Sequence, residues 1–125
     1  MKFINLLMGV FFCGALHASP MEYMTAKGLA DRHEKMLSNA QIQALTSTQG
    51  VVGGKAIAEC SVTMSSPESG QFSLVMQIDN NGTIVRTWLS GDSDVAKCFE
   101  KKMTGQKLFV PPFSPFYTVF EMHFR

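Results

Sequence analysis

The chain reads as an α+β fold, a helical N-terminal segment followed by a unit of strands and one short helix. Three observations carry that reading. Residues 71–78 and 83–89 alternate apolar and polar side chains around a Gly-containing turn. Residues 94–103 gather Val95, Cys98, Phe99 and Met103 on one helical face. Residues 117–124 then alternate again, rich in aromatics.

Residues 1–18 stand apart. A single charge at Lys2, an apolar run from Phe3 to about Leu16 and small residues at Ala18 and Ser19 give the layout of a secretory signal peptide cleaved after Ala18. The run is shorter than the about 20 residues a membrane span needs, so no stable span is expected after cleavage. Lipidation of Cys13 would want small residues where Phe11 and Phe12 stand. Removal of this segment from the 125 residues leaves 107, one small domain, with ten Lys and Arg against ten Asp and Glu. Neutrality without a basic stripe argues against nucleic acid as a partner and against attraction to anionic lipid. A periplasmic or secreted location follows.

Three cysteines in the full chain become two, Cys60 and Cys98. An even number in an exported protein reads as a disulfide, and a domain this small gains from a covalent link. Two buried free thiols are the competing reading; a redox pair would want a CxxC that is missing.

Residues 19–54 form the helical segment and its glycine-rich end. Ser19 and Pro20 suit a helix start, and Met21, Met24, Leu29, Met36, Leu37, Ile42 and Leu45 recur near helical spacing, a stripe expected to be core. Gly28 or Ser38-Asn39 are the expected breaks. Asp31-Arg32-His33-Glu34 is expected to be a solvated helix face, since HExxH would need histidine where Leu37 stands. The run QGVVGGK at 49–55 has three residues, not four, between Gly50 and Gly54-Lys55, and Ala56 replaces the hydroxyl residue of a phosphate loop. Gly50, Gly53 and Gly54 are expected to be a flexible joint.

Residues 55–125 make the α+β domain. A helix through Cys60 is expected to fray before the Ser/Pro/Gly loop at 65–70, with a strand over 60–64 as the alternative. Phe72, Leu74, Met76 and Ile78 form the apolar face of the first strand. Asn81-Gly82 supplies the positive φ of a tight hairpin and accounts for the glycosylation sequon at 81–83. The return strand is expected to place Ile84 and Trp88 on one face and Val85 and Leu89 on the other. Acidic residues lead the helix at 94–103, Lys101 and Lys102 close it and Gly105 stops it. The proline-rich run at 109–115 turns a corner into the last strand, where Phe116, Phe120, Met122 and Phe124 share a side and His123 lies opposite, beside Glu121.

The order strand, Gly-containing turn, strand, helix with inward cysteine, Phe-x-Pro-Pro and aromatic strand resembles the C-terminal domain of the TonB energy transducers. It resembles more the cysteine-bearing branch found in the gliding-motility AgmX proteins. The matching residues are Cys60, QFSLVMQIDNNGTIV, the AKC ending at Cys98, FVPP at 109–112 and VFEMHF at 119–124, within roughly residues 56–125. The resemblance implies a two-layer domain, a three-stranded antiparallel sheet packed on helices. In TonB-like domains an extended peptide from an outer-membrane transporter pairs with an exposed sheet edge. Carried to this chain, that implies Tyr117, Val119, Glu121 and His123 of the last strand as the edge. A transducer also needs an uncleaved anchor and a long linker, which are not read here.

The expected function is therefore an exported periplasmic module that binds a peptide or an envelope protein; a secreted inhibitor, adhesin or effector is the alternative. No enzyme is expected: no nucleophile elbow, metal-ligand cluster or paired carboxylates can be read, and His33 and His123 have no evident catalytic partner. No cofactor or metal is expected.

Overall fold

The computed structural model describes residues 21–62 and 70–124. The signal-peptide reading at 1–18, the helix start at Ser19 and Pro20, and the loop reading at 65–69 lie outside the described residues. The elements are α1 (Tyr23–Lys35), α2 (Asn39–Ser61), β1 (Gly70–Ile78), β2 (Ile84–Ser90), α3 (Asp94–Met103) and β3 (Phe116–Phe124). The fold is α+β: the strands form one open antiparallel sheet in the order β2-β1-β3, packed with the three helices.

β1 lies at the centre, and its residues Leu74, Val75 and Met76 are all fully buried, so both faces of the sheet are covered. Phe72, Leu74, Met76 and Ile78 pack with side chains of α2 and α3 in the main core. Val75 points the other way and joins Trp88, Tyr117 and the α1 residues Ala26 and Ala30. The sheet with α2 and α3 makes the two-layer body, and α1 lies on the opposite face.

The apolar stripe is core in part, with Leu37 and Leu45 buried and Met21 and Leu29 packed against the second cluster, but α1 corrects the rest. Its buried residues are Ala26 and Ala30, whereas Met24 and Met36 are 73% and 65% exposed. Two alanines one turn apart let the helix lie close on the sheet, which long methionines would prevent. Gly28 sits inside α1, and the break falls at residues 36–38. There Ser38 starts α2 with a capping box: its Oγ accepts from the Gln41 amide at 3.2 Å and its own amide donates to Gln41 Oε1 at 2.8 Å.

The expected glycine joint is continuous helix. Gly50, Gly53 and Gly54 lie within α2, which crosses the boundary between residues 54 and 55 without a break. Interior glycines cost about 1 kcal/mol each relative to alanine; a Cβ at Gly50 or Gly54 would meet open space, so packing demands glycine at only one of the three. That one is Gly53, because a Cβ there would stand 2.5 Å from Cε2 of Phe120. Burial of Leu45, Ala56 and Cys60 then holds the helix to the core.

The hairpin turns on Asp79 more than on Asn81. Asp79 Oδ1 accepts from the amides of Asn81 and Thr83, at 2.9 and 3.0 Å, and its carbonyl accepts from the Gly82 amide at 3.0 Å. Gly82 has φ 87°, and a Cβ there would lie 2.9 Å from the Phe109 carbonyl oxygen. Gly82→Ala is therefore expected to destabilise the fold by about 2 kcal/mol, combining left-handed strain with that clash. Urea unfolding measures it; a loss below about 0.5 kcal/mol would show that the backbone at Phe109 moves aside.

A bulge corrects the face assignment in β2. Ile78 pairs with Ile84 but Gln77 pairs with Arg86, so one extra residue, Val85, is inserted. Ile84 therefore faces the main core while Trp88 faces α1, although the period-two reading put them together. After β2, Ser93 caps α3 by accepting from the Ala96 amide at 3.1 Å, and Gly105, at φ 91°, follows its end. Cys60 and Cys98 form a disulfide with Cα atoms 5.8 Å apart, tying the end of α2 to α3. Such a bond is compatible with export. Among the described residues no helix is long and apolar enough to cross a membrane.

Candidate functional site

With β1 central, β2 and β3 each present one outer edge, and the fate of their outward backbone groups decides what the sheet can accept. On β3 the Tyr117 amide donates to His33 Nδ1 at 3.0 Å and the Val119 amide to Glu34 Oε2 at 3.0 Å. These amides point away from β1, and by alternation so do those of Glu121 and His123. The Thr118 hydroxyl also donates to Glu34. From the other side Gln49 Nε2 donates to Thr118 Oγ1 at 3.0 Å and to the Val119 carbonyl at 3.4 Å. α1 and α2 thus clasp β3 from its two faces, and their connecting turn passes round its edge.

This geometry divides the four candidate edge residues. The amides of Tyr117 and Val119 are already taken, because α1 ends beside them. Glu121 and His123 are exposed and, among the described residues, no group bonds to their outward amides. They flank a recess of about 380 Å³ whose floor includes Gln71, Ser73 and Ser90; the Tyr23 and Ser73 hydroxyls hydrogen-bond at its margin.

Of the residues at 31–34, Asp31 and Arg32 are exposed as the sequence suggests, but His33 and Glu34 are half-buried against β3. The His33 ring meets Phe113 edge-on at 4.9 Å between centroids and Tyr117 at 5.6 Å. Its pKa is lowered from the ordinary 6.5, first by desolvation and then by the Arg32 charge. As acceptor from Tyr117, Nδ1 carries no proton, so the ring is the neutral Nε2–H form. A cleft of about 420 Å³ opens beside Glu34, lined by Leu37, Ile42, Leu45, Thr46 and Val119 among others. A signal for this role was present: Ala26, Ala30, His33 and Leu37 follow three- and four-residue spacing, which puts His33 on the buried stripe.

β2 differs. Its first residue is covered: the Ile84 amide donates to the Gln106 carbonyl at 2.8 Å and the Ile84 carbonyl accepts from the Gly105 amide at 2.9 Å. Because Gln77 turns its backbone groups away from β3, its partner Arg86 turns inward, and the alternation directs Thr87 and Leu89 outward. Among the described residues no group bonds to their outward amides or carbonyls. The Thr87 side chain is fixed through Oγ1, which donates to Glu100 Oε2 at 2.9 Å, and the Arg86 guanidinium lies 4.8 Å over the Trp88 ring. Neighbouring side chains are thus held while the backbone edge stays open.

Among the described residues no group of three or more His, Cys, Asp or Glu side chains could hold a metal ion. No protein-family model, curated protein or solved structure matches this chain.

Proposed function

We propose that this chain is an exported, non-catalytic interaction module of the periplasm that takes an extended segment of an envelope protein as a fourth strand along β2. The observation that carries the reading is the contrast between the two edges: α1 caps the first half of β3, whereas Thr87 and Leu89 of β2 present an open row of donors and acceptors. The Cys60–Cys98 bond, the signal-peptide reading and the resemblance to TonB C-terminal domains, which accept peptides in this manner, support it. The strand is placed on β2 rather than at Tyr117 and Val119, whose amides would first have to be released.

Four backbone hydrogen bonds at about 1 kcal/mol net each give about 4 kcal/mol, so an isolated peptide binds near millimolar Kd. Extended peptides from envelope proteins, titrated at that concentration against 15N-labelled protein, are expected to shift the Thr87 and Leu89 amides. Thr87→Pro removes the outward donor at an edge position that tolerates proline and is expected to abolish the response. Thr87→Val, which loses only the Glu100 contact, is expected to retain it. A panel in which no peptide moves either amide would overturn the reading.

A further inference from the structure

The geometry points to the last turn of α1 as an acid-released latch on the β3 edge. His33 and Glu34 are consecutive residues occupying consecutive outward amides, Tyr117 and Val119, at 3.0 Å each. Together they stand where the carbonyl groups of a partner strand would otherwise lie. The two contacts differ in kind. The Glu34 carboxylate offers only acceptor oxygens, whereas His33 accepts only while neutral. An imidazolium has a donor on both nitrogens and no acceptor, so protonation sets N–H against N–H and the Tyr117 bond is lost.

The surroundings of the ring favour its neutral form. Arg32 and Glu34 flank it on α1; β3 presents Phe116 and Tyr117, and the segment before β3 presents Phe113. Desolvation among these rings and the Arg32 charge hold its pKa below 6.5. The folded state therefore binds the proton more weakly than the unfolded chain. The stabilising contribution is complete above about pH 6.5 and is lost as pH falls through the folded value.

Release of Tyr117 adds an outward amide at the start of an edge whose far half, Glu121 and His123, is already open. Val119, whose amide and carbonyl stay held by Glu34 and Gln49, still lies between that amide and the open half, so acid frees one donor at the start of β3 and loosens the end of α1 there. The latch does not depend on the strand addition proposed at β2.

The test follows 15N-labelled protein from pH 7.5 to 5 without any partner. At pH 7.5 the His33 nitrogens are expected to give the Nε2–H pattern. As the ring titrates, at a midpoint below 6.5, the Tyr117 amide is expected to lose about tenfold in exchange protection, corrected for intrinsic rate, as for one hydrogen bond. The β1 amides of Leu74 and Met76 should keep theirs. In His33→Gln, whose Oε1 accepts without titrating, Tyr117 protection should not change with pH. Unchanged Tyr117 protection across the His33 titration, a proton on Nδ1 at pH 7.5, or loss of β1 protection in step would each overturn the latch. If the variant fails to fold, the two wild-type readouts decide. Because no peptide is present, this result is independent of the titration at β2.

Discussion

Replacing Cys60 and Cys98 together by alanine is expected to lower stability by about 4 kcal/mol. The bond closes a chain separation of 38 residues, and loop-closure entropy for a ring of that size gives about that figure on the chain-entropy model. Alanine at Cys60 deletes only a sulfur from the main core, where Cys60 is fully buried, and the nearby Lys102–Glu59 ion pair, at 3.4 Å and half exposed, adds little. The effect should therefore appear chiefly through the unfolded chain. Denaturant unfolding with and without reductant measures the same quantity in the unmodified protein. A difference below about 1 kcal/mol would mean that the reduced unfolded chain already holds α2 near α3.

Phe99→Ala is expected to cost about 3–5 kcal/mol, the range for removing a buried aromatic ring. Phe99 is fully buried, and its ring lies 5.3 Å from Phe72 and 4.7 Å from Phe120 between centroids. It joins α3 to β1 and, through Phe120, to the strand that Gly53 of α2 approaches. Collapse into the cavity is limited because those two neighbours belong to different strands, β1 and β3. Against a typical domain stability of 5–15 kcal/mol, this one change removes a large share. Urea unfolding checks it, and a cost near 1 kcal/mol would show that α3 settles onto the sheet.

The strands, α3 and the cysteine pair were legible because each obeys one local rule: alternation at Phe72, Leu74, Met76 and Ile78, helical spacing at Val95, Phe99 and Met103, parity at Cys60 and Cys98. Where the rules failed, a long-range contact outweighed local preference. Gly50, Gly53 and Gly54 read as a joint because glycine disfavours helix, yet Gly53 must admit Phe120, which is far away in sequence. Ile84 and Trp88 separated because a single-residue bulge reverses the alternation. Half of the edge set was legible as edge but not as occupied. Nothing in Tyr117 or Val119 announces that His33 and Glu34, more than 80 residues earlier, end beside them. The alanine stripe leading to His33 was a weaker signal than the exposed methionines, because alanine adds little to an apolar pattern.

The Cys60–Cys98 bond also sets a topology. It makes a covalent ring that contains all of β1 and β2 and the first half of α3, while α1, most of α2 and β3 are arms attached outside it. A single backbone cut anywhere between Cys60 and Cys98 opens the ring without dividing the molecule, so the two pieces separate only on reduction. A cut in either arm frees a fragment held by packing alone. The central hairpin is thus insured against one proteolytic event, and β3, the strand that both α1 and β1 depend on, is not.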